Sequence, residues 1–571
     1  MKTVHLAQPN HSFGNNAFLP YSVATLWAYA MNEPELPERF QLARSMQFSR
    51  EPFEDITMFK PDILALSCYI WNWEYNMALA KAVKTDNPEC VVVIGGPQVT
   101  IEAMKLPWVN VVVFGEGESA LSDVLDLFKD GTPSPTAKMR VYANRSTKLD
   151  FPSPYVEGYF DEIIEAHPKL NFHALWETHR GCPYSCTFCD WGSATHAKVT
   201  KFEWTRLEDE ITWFAENKIE LVYNCDANFG MLPRDEDLID SLIAYKQING
   251  YPEKIRAAYP KIHTDRIVNQ NVRLHKSGLA KGVTISLQSL DEKVLDAVKR
   301  KNIAIDDFEH LNQTYLKQGI PTYTELILGL PGETAETFLK GIERLLQAGQ
   351  HAGLAIYPCM VLPNSELNDP EYKKEFQITS VRVQQMLLHA TPSNNIPEYY
   401  EMVVSTKDMP YTQWKYCLTF AYFVQALHCL GLTRYVAQWY CEEHKKDYIE
   451  FYSDVIEWAI NHPGTGLATT FELFIGITNH AIHGGSWDLV VEDCGGISWP
   501  PEEAAFLQLM TQPAKLLDEV GEVFLGGIPT FVKDTQLGLL RHKAFDESRE
   551  DWAREAVWYG RKEGGTYAKT N

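Results

Sequence analysis

The chain has 571 residues, 45% of them hydrophobic and 22% charged, and its 52 Lys+Arg against 75 Asp+Glu leave a net charge of −23. That length divides among two to four hydrophobic cores, and so acidic a surface repels phosphate backbones, which argues against nucleic acid as a partner. No run approaches the roughly 18 consecutive apolar residues of a membrane span, and the opening Met1-Lys2-Thr3-Val4-His5-Leu6 carries no apolar signal core, so the expectation is a cytoplasmic chain with no membrane partner.

Apolar runs at 3–7, 63–67, 91–94 and 109–114 read as strands, with helical spacing at 19–31, 75–85 and 119–128 between them. Near-continuous apolar strands alternating with helices predict a parallel sheet covered on both faces: a Rossmann-like unit over 1–145 that takes ligands at the carboxyl ends of its strands. Prolines at 131–136 and 152–154 predict a linker through 131–170. The alternation then restarts, with strands at 172–177, 221–224, 255–258, 283–287, 322–328 and 353–358 and helices at 206–216, 236–246, 265–277, 306–318 and 334–348. These six units fall short of the eight that close a full barrel, so an open, partial (β/α)6 TIM-like barrel is expected over 146–375. From 376 to 571 the spacing turns helical and aromatic, as in 413–430 and 447–460, and predicts a mainly helical domain. There Trp414, Tyr416, Trp439, Tyr440 and Trp458 are expected to pack helices, with a substrate pocket as their alternative use.

The 11 cysteines are odd in number and too sparse for a disulfide framework. Three stand together in Cys182-Pro183-Tyr184-Ser185-Cys186-Thr187-Phe188-Cys189, a spacing that random placement yields with an expectation of about 0.004. Three thiolates on one short loop hold three irons of a [4Fe–4S] cubane and leave the fourth iron open to an outside ligand. The loop follows the first expected barrel strand, at the carboxyl rim where barrel active sites lie. A zinc knuckle is the competing reading, with His179 or His196 as fourth ligand.

The C-x3-C-x2-C loop, with aromatic Phe188 before its third cysteine, resembles the signature of the radical S-adenosylmethionine (SAM) superfamily. The resemblance implies that the open iron chelates SAM and that an electron from an external donor such as flavodoxin or ferredoxin releases a 5′-deoxyadenosyl radical. It further implies that Asp226 and Asn228 accept the amino group of SAM and that Ser286 and Gln288 contact its carboxylate or ribose. Glu325-Leu326-Ile327-Leu328-Gly329 through Glu333-Thr334 matches the family's fifth-strand pattern near the nucleoside, with helix capping by Glu333 and Thr334 as its plainer use. Cys359, closing the last strand, reads as a packed core residue, with radical quenching as its alternative.

Ser67-Cys68-Tyr69, Gly95-Gly96-Pro97 and Gly115-Glu116 each follow an expected N-terminal strand, and this part of the chain resembles the cobalamin-binding domain fused ahead of such barrels. Cobalamin is therefore an expected third cofactor beside the [4Fe–4S] cluster and SAM. The D-x-H-x-x-G motif that supplies a histidine to cobalt is absent: Gln8-Pro9-Asn10-His11 has no aspartate two residues before the histidine. His11 is thus expected to be a loop residue, with Cys68-Tyr69-Ile70-Trp71 covering the lower face of cobalt. The whole resembles a cobalamin-dependent radical SAM enzyme, most often a C-methyltransferase acting at an unactivated carbon of a small molecule or peptide. Rearrangement, cyclisation or another redox step, with cobalamin as electron relay or absent, is the alternative on the same scaffold. An iron–sulfur electron carrier is the alternative of another class.

Overall fold

The structure, a computed structural model, describes every residue except 13, 132–133, 135, 144, 147, 192–197, 281, 387, 391–395, 492–493, 525, 542–548 and 563–571. The first part of the chain contributes strands β1 (Lys2–Asn10), β2 (Asn16–Phe18), β3 (Phe40–Leu42), β4 (Gln47–Ser49), β5 (Ile63–Ser67), β6 (Val91–Gly95), β7 (Val111–Phe114) and β8 (Met139–Tyr142). All but β2 join one sheet in the order β3-β1-β5-β6-β7-β8, with β4 also on β1, and every pairing is parallel. The period-2 geometry of a strand sends alternate residues into two separate cores. Ile63, Ala65, Val91 and Val93 pack under helices Tyr21–Met31 and Gly117–Phe128, while Leu64, Leu66, Val92 and Ile94 pack under helix Trp73–Asp86. β8 corrects the expectation of an unstructured linker over 131–170: Met139 and Val141 pack against the first of these cores, which pulls the segment onto the sheet edge.

The barrel follows: β9 (Asn171–Trp176), a short antiparallel pair β10 (His179–Arg180) and β11 (Thr200–Lys201), then β12 (Leu221–Asn224), β13 (Lys254–Arg256), β14 (Val283–Gln288), β15 (Thr322–Leu328) and β16 (Leu354–Pro358). All six expected barrel strands form. A seventh is borrowed from the N-terminal unit, since β2 pairs in parallel with β9. The wall runs β2-β9-β12-β13 and β14-β15-β16, joined by a parallel bridge between Ile255 and Ala280. Along β14 and β15 buried residues such as Ile285 and Leu326 face the helices, while partly accessible Ser286, Tyr323 and Glu325 face inward. The lumen is therefore open to a ligand.

Beyond the barrel the structure adds a small sheet to the mainly helical part of the chain. β17 (Met360–Val361), β18 (Thr379–Gln384) and β19 (Tyr399–Ser405) form an antiparallel sheet ahead of the long C-terminal helices, with the short helix Pro370–Glu375 between β17 and β18. Val381 and Val383 alternate there with Ser380, Arg382 and Gln384, a strand pattern too short to stand out beside the long helices after it. The helices then pack as expected, with Trp414 and Trp439 buried in the core. A π-helical turn, Val424–Cys429, sets Gln425 against the open edge of the barrel, where its Oε1 accepts the Ile356 N–H at 3.0 Å. No single helix among the described residues is long and apolar enough to cross a membrane.

Two large cores divide the molecule within the barrel. One extends from Val4 to Ala280 and the other from Val283 to Val557, so the halves of the barrel are each welded to a different flanking unit.

Candidate active site

The cluster loop leaves β10 at the carboxyl rim of the barrel. Its backbone is pinned where Thr187 N donates to Val298 O at 3.1 Å and Thr187 O accepts from Leu367 N at 2.8 Å. Phe188 packs with Val294, Val298, Leu330 and Cys359. Cys182 and Cys186 are buried, Cys189 is partly so, and none of the three is in a disulfide. Among the described residues no trio of His, Cys, Asp or Glu converges on a single point. Such convergence is what one zinc ion demands, whereas a cubane binds its cysteines at separate corners. His179 is engaged elsewhere, with Asp226, and His196 lies outside the described residues.

Donors surround the sulfurs. Asn228 Nδ2 lies 3.3 Å from Cys182 Sγ, Lys261 Nζ lies 3.0 Å from Cys186 Sγ, and Arg300 also hydrogen-bonds Cys186. Such an environment suits thiolates bearing irons, and hydrogen bonds to cluster sulfurs favour the more negative, reduced state. Lys261→Met is therefore expected to lower the midpoint potential of the reconstituted cluster by on the order of 40 mV, the one-electron equivalent of about 1 kcal/mol of lost interaction. Potentiometric titration followed by electron paramagnetic resonance measures it, and an unchanged potential would remove Lys261 from the surroundings of the cluster.

Asp226 is corrected from a cofactor ligand to a brace. Its Oδ1 accepts from Thr178 N at 2.8 Å and His179 N at 3.1 Å, and its Oδ2 accepts from Thr178 Oγ1 at 2.5 Å and Asn224 Nδ2 at 2.9 Å. With His179 Nδ1 at 3.2 Å as well, the carboxylate is saturated and only 2% exposed; no capacity remains for an ammonium group. Asn228 donates through its Nδ2 to Cys182, a contact that leaves its Oδ1 as an acceptor. The residue that ties down the start of the cluster loop is thus Asp226, through residues three and four before Cys182.

On the inner wall Ser286 Oγ donates to Glu325 Oε2 at 2.6 Å, the two facing each other in register across β14 and β15. Gln288 stands in the left-handed region (φ +66°) at a bulge against β15, a conformation a glutamine adopts only when its surroundings hold it. They do: Asn302 Nδ2 donates to Leu287 O at 2.6 Å and Ser289 O at 2.8 Å, and Arg300 donates to Ser286 O. Thr334 caps the following helix through Thr337 N, whereas Glu333 is buried against Ser289 Oγ with its pKa pushed up to about 8 by burial. Cys359 is a core residue, 1% exposed, its thiol pushed up to about 12 by burial.

The carboxyl ends of β5, β6 and β7 form a second face. Gly96, Pro97 and Gly115 are exposed there and Gly95 partly so, giving a rim with few side chains on which a large planar ligand can lie against backbone. Gly96 also has a structural reason: a Cβ on it would sit 2.5 Å from Cys68 O, at φ +111°. Ser67 Oγ accepts from Ser22 Oγ at 2.9 Å, and the Tyr69 ring stacks on Trp71 with centroids 4.4 Å apart. Two of the expected contacts are corrected. The Cys68 side chain is fully buried in the core under helix Trp73–Asp86, its thiol raised to about 12 by burial, so only its backbone borders the rim. The Glu116 carboxylate accepts from Ser146 N at 2.9 Å and pairs with Arg145 and Arg180 at 3.7 Å, so it serves the seam between units. Next to it Arg180, two residues before Cys182, bridges Glu118 at 2.7 Å and Glu177 at 2.8 Å. Asn364 closes the seam on the other side by donating to Pro97 O at 2.8 Å and Val99 O at 3.0 Å. His11, partly buried and bonded to the Trp71 backbone, has its pKa lowered to about 4, chiefly by desolvation and then by the nearby Arg50 charge.

The two faces agree with the comparisons to known proteins. The profile of the Radical SAM superfamily matches residues 176–345 and that of the B12 binding domain matches residues 43–125. The chain is 38% identical over 475 residues to the cobalamin-dependent radical SAM methyltransferase TokK of Streptomyces tokunonensis, covering 80% of this chain and 70% of that one. The chain belongs to the cobalamin-dependent radical SAM methyltransferases. A second relative, the 2-(S-pantetheinyl)-carbapenam-3-carboxylate methyltransferase of Streptantibioticus cattleyicolor, is 35% identical over the same shares. In fold the enzyme matches the cobalamin-dependent SAM radical enzyme OxsB with a TM-score of 0.54 at 14% identity, over 98% of this chain and 84% of that one. It also matches the radical SAM methyltransferase TsrM of Kitasatospora setae at 0.53 and 14%, over 75% and 91%. The methyltransferase thus uses a [4Fe–4S] cluster, SAM and cobalamin. Sequence reasoning missed Arg180, Lys261, Arg300, Asn302 and Asn364, because each makes a decisive contact outside its own local segment, such as Glu118 for Arg180 and Pro97 for Asn364.

Proposed function

We propose that this methyltransferase transfers a methyl group to an unactivated carbon of a small carboxylate-bearing molecule of the carbapenam class, the class named for its relative from Streptantibioticus cattleyicolor. The observation that carries the carboxylate is Arg256. It stands exposed at the carboxyl end of β13, its guanidinium 5.6 Å from the Tyr223 ring centroid, in no ion pair among the described residues and so available to an anionic substrate.

When bound, the cluster with SAM supplies a 5′-deoxyadenosyl radical that takes a substrate hydrogen, and cobalamin supplies the methyl group. Cys182, Cys186 and Cys189 hold the cluster. Ser286, Gln288 and Glu325 orient SAM along the inner wall, Ser286 and Glu325 as a hydrogen-bonded pair whose free carboxylate oxygen remains an acceptor. Ser67, Tyr69, Gly95, Gly96, Pro97 and Gly115 border the corrinoid. Lys261 and Arg300 keep positive charge beside Cys186, and electrons come from a small flavodoxin- or ferredoxin-type donor.

Anaerobic incubation with reductant, SAM, hydroxocobalamin and a carbapenam carboxylate is expected to yield 5′-deoxyadenosine, S-adenosylhomocysteine and a product carrying one added carbon-bound methyl, resolved by mass spectrometry. Formation of 5′-deoxyadenosine and a rearranged, unmethylated product would replace this reading with the redox or rearrangement alternative.

A further inference from the structure

The helix Trp73–Asp86 begins beside the stacked Tyr69 and Trp71, yet it is not capped by its own N-terminal residue. A helix start leaves several N–H groups without intrahelical partners, and asparagine at the cap position normally takes one. Asn72 does not. Its Oδ1 accepts from Tyr69 N at 2.7 Å and its Nδ2 donates to Pro9 O and Ser67 O at 3.1 Å each, so the side chain is spent on shaping the loop.

The cap comes instead from Glu398, more than 300 residues later, immediately before β19. Glu398 Oε2 accepts from Glu74 N at 2.7 Å and Oε1 from Tyr75 N at 3.1 Å. The same carboxylate pairs with Arg50 Nη2 at 2.6 Å, the two side chains only 1% and 5% exposed. Arg50 carries the contact back to the loop: Nη2 donates to Trp71 O at 2.9 Å and Nη1 to Ile396 O at 2.7 Å. A second strut from the same hairpin, Arg382 to Glu74 at 2.6 Å, lies on the surface and adds little.

We propose that Glu398 is a positioning residue for cobalamin: through Arg50 and the start of helix Trp73–Asp86 it fixes the Tyr69–Trp71 stack under the corrinoid, so that the unit packed on the second half of the barrel sets the lower-face geometry of a cofactor held by the first unit. This rests on the reading that residues 68–71 face cobalt. A carboxylate is suited to the task because it satisfies two helix N–H groups, complements the positive end of the helix dipole and neutralises Arg50 at once. Among the described residues of the first unit none does all three: Asn72 is committed to the loop and Glu51 pairs with Arg44.

The test compares the parent holoenzyme with Glu398→Ala and Glu398→Gln after anaerobic reconstitution. Iron content serves as the control for folding of the barrel. Expected in Glu398→Gln are unchanged iron, amide exchange across residues 68–76 at least tenfold faster, hydroxocobalamin bound at least tenfold more weakly, and an altered cobalt(II) paramagnetic spectrum; the parent spectrum should lack splitting from a nitrogen ligand. Glu398→Ala should show the same changes, larger. If it does not fold, Glu398→Gln decides alone. Faster exchange with cobalamin affinity and the cobalt(II) spectrum both unchanged would reduce Glu398 to a structural strut and overturn the proposal. Tyr69→Ala and Trp71→Ala separate the two ideas: if both bind cobalamin with the parent's cobalt(II) spectrum, the placement of the loop under cobalt is what fails.

Discussion

The triple variant Cys182→Ala, Cys186→Ala, Cys189→Ala is expected to take up no [4Fe–4S] cluster on anaerobic reconstitution and to produce no 5′-deoxyadenosine. None of the three is in a disulfide, two are buried, and they sit among Asn228, Lys261 and Arg300, which stabilise thiolates but cannot themselves bind iron. Nothing else among the described residues gathers three metal-binding side chains, so no alternative site rescues the cluster. The loop backbone is held by bonds at Thr187 that the substitutions leave alone, and the fold should survive. Iron and sulfide analysis with visible absorption measures the outcome, and cobalamin content should remain at the parent level because that face lies on another unit. Stoichiometric zinc in anaerobically purified parent protein, with no iron uptake, would overturn the assignment.

The second large effect is expected at Asp226. Asp226→Ala removes the acceptor of four hydrogen bonds and leaves Thr178, His179 and Asn224 donors buried without partners. Removing one partner of a buried charged pair costs roughly 3–5 kcal/mol, so the variant should unfold at lower temperature and lose most of its iron, because the segment leading to Cys182 is no longer held. Asp226→Asn keeps two acceptor positions and should fall between. The pH dependence has a definite sign. Burial raises the Asp226 pKa, but His179, Thr178 and Asn224 outweigh it and hold the group below the ordinary carboxylate value. Burial lowers His179, but the Asp226 bond and charge outweigh it and hold the ring above the ordinary imidazole value. The Asp226 contribution is present above about pH 3.9 and is lost as pH falls through the lower folded value. The His179 contribution is complete below about pH 6.5 and is lost as pH rises through the higher folded value. Melting temperature against pH should therefore decline at both ends in the parent and lose that part of its dependence in Asp226→Ala. A parent-like melting temperature and iron content in Asp226→Ala would return the residue to the cofactor-ligand role.

The amino-acid sequence by itself determined the six barrel strands, the strand-end glycines and the close spacing of Cys182, Cys186 and Cys189 on one loop. All of these are local: a strand or helix repeats with its own period, and a cluster loop must carry its ligands within a few residues. What only the tertiary structure decided is how the polar side chains are spent. Asp226 and Glu116 look like free carboxylates at strand ends until Thr178, His179 and Arg180 are seen filling them. Asn72 looks like a helix cap until its amide is found on Tyr69, leaving that cap to Glu398. β2 looks like part of a loop until the edge of β9 takes it into the barrel wall. A hydrogen bond forms with whatever donor the fold brings within about 3 Å, and chain distance leaves no trace of that choice in either residue's neighbours.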